Sequence, residues 1–193
     1  MKRERGAAFM NKCVRGNANL CMGCRTCMVA CVEAHSDKPV FELKPDGVNF
    51  NPKLHLIKTY DITVPFQCRH CENPDCIKAC SKGAIYQEDD RVLIDVSKCD
   101  GCKDCVAACP FGAIDMTPLS VSEDGTPGCL VANKCDLCKG VEGGPACVRV
   151  CPTGALSVVD TDEVEETAAM RRARAAHKSS LMHKWIDKEG AKE

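Results

Sequence analysis

Apolar positions along this chain come in short runs broken by turn residues, and they hold no long period until the tail. Leu54–Ile57, Ala84–Tyr86, Val92–Asp95 and Leu156–Val159 read as short β segments. Met10–Val14 looks like an opening strand, and Val106–Ala108 and Val148–Val150 each suit a single helical turn. The stretch Lys38–Val64, carrying Pro39, Pro45 and Pro52 and followed by Pro65, reads as a loop around the strand at Leu54–Ile57. Only the tail predicts a long helix, from about residue 161 to Lys188. Asp162 with Glu165 resembles a capping box, acidic residues fill the first turn, basic ones follow, and Gly190 is a stop signal. Within it Leu181, Met182, Trp185 and Ile186 make one apolar stripe, which would be exposed unless something docks there. No run approaches the roughly 20 apolar residues of a membrane span.

Such short elements cannot close a conventional core, and composition shows what takes its place. Aromatics are 4% of the chain, whereas 18 of 193 residues are cysteine. Sixteen of the eighteen fall in four tetrads. Two carry the spacing C-x2-C-x2-C-x3-C: Cys21, Cys24, Cys27, Cys31 and Cys99, Cys102, Cys105, Cys109. Two are stretched: Cys68, Cys71, Cys76, Cys80 and Cys135, Cys138, Cys147, Cys151. Disulfides need an oxidising compartment, and the start of the chain is charged with no apolar signal region, so the expected location is cytoplasmic. Zinc also uses C-x2-C pairs, but a third cysteine two residues beyond the second is the iron–sulfur pattern. Four tetrads imply four [4Fe–4S] clusters. The formal charge is −1, and sixteen thiolates on four cores of charge +2 would bring it to about −9, which disfavours nucleic acid as a partner. Arg171, Arg172 and Arg174 read as a solvated or charge-balancing patch.

Three tetrads end alike, in Cys80-Ser-Lys-Gly-Ala-Ile85, Cys109-Pro-Phe-Gly-Ala-Ile114 and Cys151-Pro-Thr-Gly-Ala-Leu156, a turn leading into a strand. After Cys31 the chain lacks this exit, and Val32–His35 can continue a helix. In two-cluster ferredoxins the fourth cysteine of a run ligates the other cluster. Tetrads two and three are adjacent, across a tight linker at Asp89-Asp90-Arg91. They are expected to form one cluster on Cys68, Cys71, Cys76 and Cys109 and another on Cys99, Cys102, Cys105 and Cys80. Tetrads one and four are left to pair, giving Cys21, Cys24, Cys27 with Cys151 and Cys135, Cys138, Cys147 with Cys31. The expected fold is α+β: two bacterial-ferredoxin-like 2[4Fe–4S] units, one inserted into the other, plus a C-terminal helix. Residues 10–65 with 118–160 form the outer unit, 66–117 the inserted one and 161–193 the helix. Cys13 and Cys129 remain as packing residues.

The motifs Gly23-Cys-Arg-Thr-Cys27, Cys68-Arg-His-Cys-Glu72, Cys109-Pro-Phe-Gly-Ala113, Asn133-Lys-Cys-Asp-Leu-Cys138 and Gly144-Pro-Ala-Cys147 resemble the four-cluster ferredoxin-type subunits of formate dehydrogenases, hydrogenases and carbon monoxide dehydrogenases. The match is closest to formate dehydrogenase and formate–hydrogen systems and covers about residues 10–175. The resemblance implies a non-catalytic subunit relaying electrons between a formate dehydrogenase and a hydrogenase-type subunit. The Leu181–Ile186 stripe itself reads as docking onto another subunit, in a filament or ring, with packing back on its own ferredoxin body as the alternative. Alternatives are service to carbon monoxide dehydrogenase or another reductase, a redox-sensing or maturation iron–sulfur protein, and a zinc-structured binding module. Ser81 departs from the proline usual after the last ligand of the second tetrad. Its N–H and hydroxyl would raise the potential of the cluster held by Cys80 if they face it, and do nothing if they face solvent. His70, between two ligands, is read as a hydrogen-bond donor or an exposed side chain before an iron ligand. His35, His55, His177 and His183 are read as solvated.

Overall fold

The computed structural model describes residues 12–37, 39–43, 50–119, 128–159, 168–173 and 175–176. They fall in two units, Met1–Val158 and Val159–Glu193. In the second, residues 168–173 and 175–176 are helical. The Asp162–Glu165 cap, Arg174, the stripe Leu181, Met182, Trp185 and Ile186, and Gly190 lie outside the described residues, as do His177 and His183.

The first unit is α+β, and all of its strands are four residues long. Strand β1 (Cys13–Gly16) pairs with β8 (Leu156–Val159), so the beginning and end of the unit share one sheet. The remaining strands form antiparallel pairs: β2 (His55–Lys58) with β3 (Thr63–Phe66), β4 (Ile85–Glu88) with β5 (Arg91–Ile94), and β6 (Asp115–Pro118) with β7 (Leu130–Asn133). Among the described residues it also has four short α-helices: α1 (Thr26–His35), α2 (Asp75–Ala79), α3 (Asp104–Ala108) and α4 (Ala146–Arg149). Helix α1 packs on α4, and α2 packs on α3.

Local chemistry explains the shortness. Glu88 pairs with Arg91, leaving Asp89 and Asp90 as a two-residue turn with φ of 47° and 60°. A turn with both φ positive matches the twist of an antiparallel pair, and aspartate tolerates that region. Helix α1 runs unbroken through Cys31 to His35, as the missing Gly-Ala exit led one to expect. Strand β3 corrects the loop reading of Lys38–Val64: Pro65 stands opposite Leu56, a position a two-stranded sheet permits because one edge needs no N–H.

Two apolar clusters fill the unit, and thiols make up much of both. Val14, Leu54 and Leu156 pack with Cys27, Cys31, Cys68, Cys135 and Cys147. Ile85, Val92 and Ile114 pack with Cys76 and Cys105. Where an ordinary domain would place Leu and Phe, this one places sulfur.

The loops between cysteines also constrain the backbone. Gly101 has φ of +76°, and a Cβ there would stand 2.5 Å from the carbonyl oxygen of Leu130. Gly112 has φ of +60° but open space around it. Gly112→Ala should therefore cost only the left-handed penalty, about 1–2 kcal/mol. Gly101→Ala should cost distinctly more, because β7 must move. Thermal unfolding under anaerobic conditions measures both, and equal losses would contradict this close approach.

Candidate metal centres

Each helix presents the third cysteine of one tetrad on a buried face: Cys27 on α1, Cys76 on α2, Cys105 on α3 and Cys147 on α4. The first two cysteines of each tetrad lie on the loop before the helix. The fourth cysteine stands one helical turn beyond the third. Cys80 and Cys109 end their helices in extended backbone.

Cavity linings group eight of the thiols, and their mutual electrostatic influence associates the rest. Cys21, Cys24 and Cys27 line a cavity together with Cys151, closed by Leu56, Pro65 and Leu156. Cys99, Cys102 and Cys105 line a second cavity with Cys80, beside Ile85, Met116 and Ala132. The charges of Cys68 and Cys109 are both felt at Cys71 and at Cys76. Cys31 is felt at Cys135, Cys138 and Cys147. In every set the fourth thiol comes from a different run than the other three.

As bare thiols these sets are electrostatically uncomfortable. Burial, reinforced by neighbouring thiolates, pushes Cys27 and Cys76 up to about 11 and Cys147 up to about 12. Cys135 is pushed up by burial as well. Thiolates crowd together in a dry place only around a cation, and coordination to iron supplies that charge. Backbone N–H groups already point at several sulfurs. They include Ala113 to Cys109 at 3.5 Å, Ala132 to Cys99 at 3.4 Å, Leu137 to Cys135 at 3.4 Å and Ala155 to Cys151 at 3.2 Å. Two of these donors are the alanines of the Gly-Ala exits, so that phrase turns the chain back onto its own ligand. None of the eighteen cysteines is paired in a disulfide. Donor chemistry, burial and N–H placement together fit iron–sulfur clusters.

Other residues depart from their sequence readings. His35 is not simply solvated: Nδ1–H donates to the Cys31 carbonyl at 2.7 Å and Nε2–H to Asp136 at 2.9 Å. Burial opposes a charged ring, but the Asp136 and Cys31 bonds outweigh it and raise its affinity for protons. Asp136 also accepts the Cys138 N–H at 2.9 Å and faces Lys53, so it ties α1 to the loop of tetrad four. His35, Asp136 and Cys138 stand close enough to suggest a separate metal site. Both His35 nitrogens are spent as donors, however, and Cys138 belongs to a thiol set. His55 pairs with Asp115 at 3.1 Å. Cys129 is exposed, which corrects its reading as a packing residue, while Cys13 is half-buried. Ser81 is exposed, the arrangement in which its hydroxyl meets solvent.

His70 is fully buried; burial and the nearby Lys134 push it down to about 3, so its ring is neutral. Lys134 is 3% exposed, an extreme for lysine that the motif Asn133-Lys-Cys-Asp-Leu-Cys138 does not reveal. Ion pairs over long sequence separations, such as His35–Asp136, leave no local sequence signal either.

Asp136→Ala should destabilise the protein by about 1–3 kcal/mol, since it strands the half-buried His35 ring and the Cys138 N–H. Cys129→Ser at the surface should stay within about 0.5 kcal/mol of the parent. Anaerobic thermal unfolding compares the two.

Residues 59–161 match the model of the 4Fe-4S dicluster domain. The electron transport protein HydN of Escherichia coli K12 is 40% identical over 174 residues, spanning 86% of this chain and 98% of its own. Hydrogenase-4 component A of the same strain is 35% identical, over 86% of this chain and 91% of its own. The putative electron transport protein YsaA, also from that strain, is 38% identical over 81% and 94%. With thiol sets of this chemistry and relatives this similar over nearly their whole length, the chain belongs to the 4Fe-4S dicluster family of iron–sulfur electron-transfer proteins.

Proposed function

We propose that this chain is a non-catalytic electron wire holding four [4Fe–4S] clusters, built as one ferredoxin-like unit inserted into another. The observation that carries this reading is the convergence of sixteen thiols into four sets of four, each drawing three ligands from one run and one from another. Nesting draws support from the sheet joining β1 to β8 and from the packing of α1 on α4 and α2 on α3. When bound, each cluster supplies a one-electron couple. The chain's own residues hold and insulate these couples. Cys68, Cys76, Cys135, Cys138 and Cys147 are buried, whereas Cys24 and Cys102 are exposed. Cys71 and Cys109 are half-buried, so two sets have no exposed member and two reach the surface, an arrangement suited to a conductor with two accessible ends.

Catalysis then belongs to partners. The relative named for hydrogenase-4 supports a hydrogenase-type subunit as one partner, and a formate dehydrogenase is proposed as the other, with the whole in the cytoplasm. No helix among the described residues is long and apolar enough to cross a membrane. The stripe Leu181, Met182, Trp185 and Ile186 is assigned to docking one of these partners. Deleting residues 178–193 should abolish assembly while leaving the clusters in place, and intact assembly would overturn that assignment.

Ligand exchange between runs has a spectroscopic signature. Anaerobically purified protein should carry about sixteen iron atoms per chain. Cys71→Ser and Cys109→Ser should perturb the same component of the EPR spectrum, while Cys102→Ser and Cys80→Ser perturb a different one. If Cys109→Ser instead matched Cys102→Ser, each run would be holding its own cluster and the nesting would be wrong.

A further inference from the structure

Strand β5 carries an unusual clamp. Val92 is 1% exposed, and both of its outward peptide groups are engaged by side chains from other segments. Its N–H donates to Nδ1 of His70 at 3.0 Å, and its carbonyl accepts from Nζ of Lys134, which also donates to the Cys135 carbonyl at 2.9 Å. His70 lies between Cys68 and Cys71, and Lys134 immediately precedes Cys135. The clamp therefore stands where the loops of the two enclosed thiol sets meet.

Hydrogen bonding fixes the chemistry it presents. Because His70 Nδ1 accepts, the ring hydrogen sits on Nε2, and Nε2 is buried without a partner among the described residues. An orphaned buried N–H is costly, so such a donor persists where an acceptor meets it. Sulfur bound between Cys68 and Cys71 is an acceptor of the right kind, in the loop that carries the ring. Lys134 adds a positive charge in the interior, near enough to the Cys76 thiol to be felt there. Charges are weakly screened at such depth. Reduction adds a negative charge to a cluster, so an N–H that donated to its sulfur and an ammonium beside it would both favour the reduced form.

We propose that His70 and Lys134 are tuning residues at the seam between the two enclosed sets. They raise the reduction potential of the clusters held by Cys68, Cys71, Cys76 and Cys109 and by Cys31, Cys135, Cys138 and Cys147. The inference rests on the four-cluster reading.

An EPR-monitored redox titration of the full chain tests it, with iron counted in each sample. Lys134→Gln keeps the donors to Val92 and Cys135 but removes the charge. His70→Asn keeps an acceptor for the Val92 N–H but removes the Nε2 hydrogen. Each loaded variant should lower the reduction equilibrium of an enclosed cluster at least tenfold, equal to 59 mV for a one-electron couple, with the surface clusters unmoved. Lys134→Arg should titrate like the parent. Unchanged potentials in a fully loaded variant would overturn the proposal, and so would loss of iron from both variants, which would reduce the clamp to a structural tie. Failure of the four-cluster reading would appear separately, as about eight iron atoms in the parent protein.

Discussion

Thiolate coordination is the constraint on which everything else here depends. Strands of four residues and helices of four to ten are too short to bury apolar surface among themselves, and aromatic side chains are scarce. Cysteines occupy the positions where large hydrophobes would stand, and their burial raises the cost of the charge they must carry. Metal reverses that sign: the ligand that is most unfavourable as a lone buried thiolate becomes the most tightly fixed point in the chain. Folding and cluster loading are coupled for this reason, and the helices serve as brackets that set one cysteine a turn beyond another.

The same logic explains the division between enclosed and exposed sets. Burial around Cys135 and Cys147 excludes water from the interior, where Lys134 is carried as well and its influence reaches the Cys76 thiol. At the exposed Cys24 and Cys102 solvent screens such charges, and short reach to a partner matters more. On the proposed four-cluster reading, a single chain would combine interior couples controlled by its own side chains with terminal ones open to their neighbours.

Sequence spacing made the thiol runs, the Gly-Ala exits and the Asp89–Asp90 turn legible, because each is a local rule about backbone and ligand. The strand at Thr63–Phe66 was hidden by Pro65, whose penalty vanishes on an unpaired edge. His35 and Asp136 lie 101 residues apart, and nothing near either one signals the other. Lys134 looked like any charged residue in a loop, since only the tertiary fold carries it into the interior and aims it at Val92. Cys129 read as a packing residue from its apolar neighbours, yet it precedes β7 on the exposed side.

Anaerobic native mass spectrometry of the intact chain bears most directly on the central claim, because it counts clusters and identifies metal in one spectrum. Four [4Fe–4S] clusters per chain are expected, with Cys13 and Cys129 left as the only thiols free to react with an alkylating agent. Two clusters per chain, or zinc in place of iron, would contradict it.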